Sequence, residues 1–189
     1  MLELEIRDED EELAKQFTNV YSEMKYGKNV LGVSEKKFYD FIFSGKLGEL
    51  VFRRLLDENN ILNQCDEILK PHPGKYKREG ADFVLTNSGE TIDVKTSDAM
   101  YKTRLLVRED QVKAKVHDVY LGQRLNPNKN VIECWGYICG NKLKLRPIED
   151  FGYGPCRSIF LKDLIPIEEF LAKAQNPAFV SKGELICKK

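Results

Sequence analysis

Histidine is almost missing from the chain: His72 and His117 are the only two, and neither falls among candidate metal ligands. A histidine-based mechanism or a zinc hydrolase is therefore disfavoured. Net charge is missing as well, because 30 Lys and Arg balance 30 Asp and Glu. Bulk charge cannot then be what attracts a polyanion, although carboxylates at a metal site can offset local basic patches. No apolar run approaches the length of a membrane span, and Met1-Leu2-Glu3-Leu4-Glu5 does not read as a signal peptide. No membrane partner is expected, and the expected location is the cytoplasm, or a host cytoplasm for a viral chain. Internal repeats, coiled-coil heptads, a glycine-rich phosphate loop and a nucleophile elbow are all lacking.

Cysteine is present but unorganised. Cys65, Cys134, Cys139, Cys156 and Cys187 show no paired metal-ligand spacing. Cys134 and Cys139 lie five apart in an expected strand, which sends them to opposite faces. Buried free thiols are the expectation, and an odd count argues against a complete disulfide framework.

What the chain does have is a stretch with chemistry, Gly80 to Ser97. Two β-prone runs, 82–86 and 91–96, flank the turn formers Asn87-Ser88-Gly89. With the hairpin centred between Asn87 and Ser88, Asp82 sits opposite Asp93, and Lys95 shares their face. Phe83 and Val94 point to the other side. Two carboxylates pushed together raise each other's pKa unless a cation holds them. A hard divalent cation such as Mg²⁺ takes one or two carboxylates together with water and substrate phosphate. An ammonium has no lone pair, so Lys95 is not a ligand; it suits holding a water or steadying charge on a phosphate. Taken alone, the same alternation also suits a surface hairpin with an ion pair worth at most about 1 kcal/mol.

The rest of the 189 residues fit one α/β domain: an N-terminal addition over 1–33, a core over about 34–140 and a C-terminal addition over 141–189. Residues 2–6 alternate like a short strand, and 7–26 have helical spacing with acids at the start. Ser34 is a candidate N-cap for a helix over 35–43. Gly48, Val51, Phe52, Leu55 and Leu56 then share one apolar arc, with Glu49 at its rim and Arg53, Arg54 and Asp57 toward solvent. Strands are expected over 61–69, 103–108, 118–125, 131–139 and 158–161, a helix over 111–116 capped by Asp110, and a last helix from Pro166 to 174. Residues 176–189 read as peripheral, and Trp135 as core. Basic side chains gather in two places: Lys75, Lys77 and Arg78 around Tyr76 in a loop before Asp82, and Lys102, Arg104, Arg108, Lys113 and Lys115 after the hairpin. The first loop suits a phosphate backbone or a stacked base as well as plain solvent. The hydroxyls of Thr96 and Ser97 either bond a phosphate or end the strand.

Asp82, a turn and then Asp93-Val94-Lys95 resemble the active-site signature of the PD-(D/E)XK nucleases, the restriction-endonuclease-like superfamily, with Ala81 where the name has Pro. The resemblance covers residues 38–139 and includes the context: an upstream helix with a glutamate, a strand, the hairpin, then further strands and a helix. It implies a restriction-endonuclease-like mixed β-sheet core flanked by helices, and metal-dependent hydrolysis of DNA phosphodiesters. Asp82 and Asp93 would hold Mg²⁺, with Mn²⁺ as a substitute, and the Val94 carbonyl would be a further ligand. Glu49 would stand over the metal, and Lys95 would act electrostatically. Lys75, Lys77, Arg78, Thr96, Ser97, Lys102 and Arg104 would be the substrate-binding set. A junction-resolving enzyme of the same fold and a non-cutting DNA-binding member are the alternatives, and a homodimer is left open.

Overall fold

The computed structural model describes residues 1–23, 34–65, 80–152, 154–176 and 186–187. The chain runs β1 (Leu2–Glu5), α1 (Asp8–Glu23), α2 (Glu35–Glu58), β2 (Asn63–Gln64), β3 (Phe83–Leu85), β4 (Thr91–Ser97) and β5 (Arg104–Arg108). It continues through α3 (Glu109–Ala114), β6 (Val119–Asn126), β7 (Val131–Cys139), α4 (Gly140–Leu143), β8 (Ile148–Asp150), β9 (Pro155–Phe160) and α5 (Ile167–Gln175). Among the described residues the strands form two sheets, ordered β1-β7-β6-β4-β3-β2 and β5-β9-β8. The fold is mixed α/β, a curled mixed sheet flanked by helices.

In the larger sheet every neighbouring pair is antiparallel except β4 and β6, which run parallel. Parallel strands need a long crossover, and here β5 and α3 supply it. A side-chain clamp fixes the start of that pairing: Asp118 Oδ2 accepts from both the amide and the hydroxyl of Thr91, at 2.9 and 2.7 Å. Alternation along β4 then divides the molecule. Ile92 and Val94 join the core built on α2 and α5, whereas Tyr120 of β6 joins a second core under β5 and β9.

Helix α2 explains most of the first core. Ser34 caps it, its hydroxyl accepting from the Lys37 amide at 3.3 Å, and four acidic residues open α1. The chain does not break at Gly45 or Gly48 but stays helical for 24 residues. Phe52, fully buried, meets Phe83 edge-on at 5.2 Å and Phe170 at 6.1 Å. Arg54, expected in solvent, instead pairs with Asp10 at 3.0 Å and reaches the Glu5 carbonyl, fastening α1 and β1 to α2.

Three expectations are corrected, while the expected strand after the hairpin is present as β5 and pairs with β9 in the second sheet. Its Leu105 and Val107 lie under that sheet, which needs the chain to leave the main sheet after Ser97. Helix α3 starts at Glu109 with Arg108 at the N-cap, so Asp110 sits in the first turn, where its Oδ1 accepts from the Gln111 amide at 2.9 Å. The strand pair β6–β7 shifts register between Gly122 and Gln123, leaving Trp135 outside the pairing. That bulge shifts the alternation, so Cys134 and Cys139 enter the same core instead of opposite faces. Finally, Cys139 and Cys187 form a disulfide, because the buried Ile186–Cys187 turn folds back onto the end of β7; Cys134 and Cys156 are buried free thiols. The expected strand over 61–69 is described only as β2, and its remainder from residue 66 lies outside the described residues.

Where α2 crosses β4, Gly48 is required. A Cβ there would meet Thr96 Oγ1 at 1.9 Å and Thr96 Cβ at 2.9 Å. Glycine to alanine inside a helix ordinarily stabilises by about 1 kcal/mol. Overpacking reverses the sign, so Gly48→Ala is expected to lower unfolding free energy by about 1–3 kcal/mol. Urea unfolding checks this, and a raised midpoint contradicts the contact.

Candidate functional site

The β3–β4 hairpin turns at Gly89, whose φ of +72° suits glycine, with its amide bonded to the Leu85 carbonyl at 2.8 Å. The ladder pairs Phe83 with Ile92 and Val84 with Thr91. Continued one step, that register sets Asp82 opposite Asp93. Beyond Phe83 the Asp82 side chain takes over from the ladder: its Oδ2 accepts from the Val94 amide at 2.8 Å. A strand residue's N–H and C=O point to the same edge, so the Val94 carbonyl also faces the Asp82 side.

Lys95 lies on the same face as Asp93, and its Nζ stands 3.0 and 2.7 Å from the two oxygens of that carboxylate. The lysine side chain is 25% exposed and that of Asp93 14%. Burial opposes the lysine charge, but Asp93 and Asp82 outweigh it and hold the ammonium above its ordinary pKa. Lys95 is therefore a cation at neutral pH.

The parallel register brings β6 alongside. Asp93 pairs with Tyr120, Lys95 with Gly122 and Ser97 with Arg124. Tyr120 is fully buried, its phenol pushed up by burial, and its hydroxyl accepts from the His117 amide at 3.2 Å. His117 is buried too, and its Nδ1 has no hydrogen-bond partner among the described residues. Burial first, then the charges of Lys115 and Lys95, lower its pKa to about 4. Tyr120 and His117 are neighbours of the site that the sequence did not single out. Nothing local marks them, because only the long-range β4–β6 pairing brings them there.

The other expected residues are distributed differently. Glu49 sits on α2, which packs against the Ile92–Val94–Thr96 side of β4. Its Oε2 lies 2.5 Å from Nζ of Lys46, whose side chain is only 3% exposed and lies 4.4 Å over the Phe17 ring. A buried ammonium without that carboxylate would be strongly destabilising, so Glu49 has structural work regardless of any other. Thr96 faces α2, and its hydroxyl donates to Gln123 Oε1 at 3.2 Å. Ser97 shares the Lys95 face and donates to the Ala99 carbonyl at 3.4 Å, where the strand ends. Lys102 pairs with Asp98, and Arg104 with Glu149 at 3.1 Å. Lys75, Lys77 and Arg78 lie outside the described residues.

For a hard cation the donors are right in kind: carboxylate oxygens of Asp82 and Asp93 with a backbone carbonyl at the same edge. The set ends at two acids. Among the described residues, no group of three or more His, Cys, Asp or Glu converges to hold a metal. Compared with family models, curated proteins and solved structures, the chain matches none.

The buried histidine gives the site region a pH signature. His117 titrates near 6.5 when unfolded and about 4 in place. Between those values the unfolded chain binds a proton that the folded one does not. Stability therefore falls as pH drops through that window, by about 3 kcal/mol in full. His117→Gln, which cannot titrate, is expected to remove that part of the acid sensitivity. Unfolding free energies measured from pH 7 to pH 4 check it, and identical slopes for parent and variant contradict the assignment.

Proposed function

We propose that the chain is a divalent-metal-dependent nuclease of the restriction-endonuclease-like type, hydrolysing phosphodiester bonds of DNA. One observation carries the reading: the β3–β4 register, continued one step, sets Asp82 opposite Asp93, and the ammonium of Lys95 is seated on Asp93. The order of elements supports it, since a glutamate-bearing helix, strand, hairpin, strand and helix is the context of that signature. DNA as substrate follows from the resemblance of Asp82 and Asp93-Val94-Lys95 to the family motif.

On this reading Asp82 and Asp93 hold Mg²⁺ or Mn²⁺, with the Val94 carbonyl as a further ligand. When bound, the ion supplies a polarised phosphate and a more acidic water. The chain's own residues set the rest. The Val94 amide fixes one oxygen of Asp82. Lys95 orients the attacking water and steadies charge developing on the phosphate. An ordinary lysine is mostly protonated at neutral pH, so an electrostatic role suits it better than that of a general base. Cys134 is no competing nucleophile, since burial pushes its thiol up to about 12.

An interaction made mainly in the transition state lowers turnover on removal and leaves binding largely intact. Lys95→Ala is therefore expected to bind DNA as the parent does yet cut it about a hundredfold more slowly, roughly 3 kcal/mol of lost stabilisation. Gel assays with Mg²⁺, Mn²⁺ and EDTA on linear, branched and single-stranded DNA make the comparison. A variant that cuts as fast as the parent overturns the site. A parent with no metal-dependent cutting of any form leaves the non-cutting DNA-binding member as the better reading.

A further inference from the structure

A cleft of about 310 Å³ opens between the two sheets, lined by Thr103, Arg124, Trp135, Phe160, Leu161 and Lys162. It is built, not left over. Trp135 is the residue set free by the β6–β7 bulge, a device that re-aims a side chain. The bulge is accommodated by two glycines: a Cβ on Gly122 would meet Leu164 at 2.5 Å, and one on Gly136 would meet the Ile165 carbonyl at 2.0 Å.

Both aromatic walls carry cations. The Arg124 guanidinium lies 5.2 Å from the Trp135 ring, fixed by Glu133 at 2.8 and 2.6 Å and by the Met100 carbonyl at 2.8 Å. Arg104 lies 4.0 Å and Lys162 5.7 Å from the ring of Phe160, which is 38% exposed. Glutamates offset the two arginines, but Lys162 has no ion pair among the described residues and stands exposed at the rim. An apolar slot with flat walls and a free cation at its mouth suits a planar ring attached to an anion.

The cleft also belongs to the face of the candidate site. Ser97 pairs with Arg124 as Asp93 pairs with Tyr120. From Lys95 to Ser97 is one two-residue step, about 7 Å, and from Ser97 to Arg124 one strand spacing, about 5 Å. A strand lying over Lys95 can reach the cleft within a few nucleotides.

We infer that this cleft holds an unpaired base of single-stranded DNA between Trp135 and Phe160, with Lys162 on the adjoining phosphate. The ligand's identity as DNA rests on the nuclease reading above; the aromatic lining of the cleft selects the single strand. Bases within a duplex have both faces covered by their neighbours, so only an unstacked base presents a face to these rings.

Trp135 is the only tryptophan, so its emission reports on the cleft directly. Oligothymidine, a duplex of equal length and thymidine monophosphate are titrated into the full chain in EDTA, which stops cutting. Saturable change in Trp135 emission with the single strand alone is expected. Phe160→Ala and Lys162→Glu, both at exposed positions, should each weaken binding of labelled oligothymidine about tenfold or more by anisotropy, the first through a lost stacked base and the second through a reversed charge at a phosphate. Equal response to the duplex, an equal response to the mononucleotide, or unchanged binding in both variants overturns the inference. Metal-dependent cutting by a parent whose Trp135 does not respond removes the cleft and leaves the nuclease. A Trp135 response without any cutting keeps the cleft and removes the nuclease.

Discussion

The register between β3 and β4 is the constraint on which the site depends. Side chains alternate with a period of two, so a slip of one residue would send Asp93 and Lys95 into the α2 core and bring Val94 out. Three things prevent the slip. The Gly89 turn sets the hairpin, Phe83 locks into Phe52, and the Asp82 carboxylate takes the Val94 amide. The last of these fixes register and the orientation of the Asp82 carboxylate at once. Beyond the hairpin, the Thr91–Asp118 clamp carries the same alternation into β6, which is why Tyr120, Gly122 and Arg124 continue the face.

Electrostatics then separates the two lysines that sit beside acids. Lys46 is buried with Glu49 on the helix side of β4, where the pair neutralises itself away from solvent. Lys95 remains partly exposed with Asp93 and feels Asp82 as well, so its charge is kept at a surface a ligand can reach. A buried pair is weak evidence of stability but costly to break, whereas a partly exposed pair is screened by solvent and contributes less. The dense basic stretch after the hairpin does not add up to a positive surface. Lys102, Arg104, Arg108 and Lys113 each have a carboxylate beside them.

What could be read from the sequence was what local chemistry decides. Turn formers at Asn87-Ser88-Gly89 and alternation on either side gave the hairpin register, and the Asn126–Asn130 run gave the β6–β7 turn. Ser34 was legible as a cap. Long-range pairing was not. Thr103–Arg108 looks like any half-buried strand, and only its partner β9 decides which sheet it joins. The bulge at Trp135 removes one residue from the alternation and so undoes any parity argument that spans it, as for Cys134 and Cys139. Cys187 gave no spacing signal because its partner lies 48 residues away. For Glu49, position on a helical wheel indicated the rim but not the buried Lys46 one turn earlier that holds it.

Titration calorimetry with Mg²⁺ and Mn²⁺, on the parent and on the paired variant Asp82→Asn with Asp93→Asn, addresses the acid–lysine face directly. Asparagine keeps the shape and removes the charge, so circular dichroism should show the two proteins folded alike. Saturable heat with the parent and none with the variant is the expected result. Equal heats from both proteins would place any metal elsewhere, and no heat from either would contradict a cation site at Asp82 and Asp93.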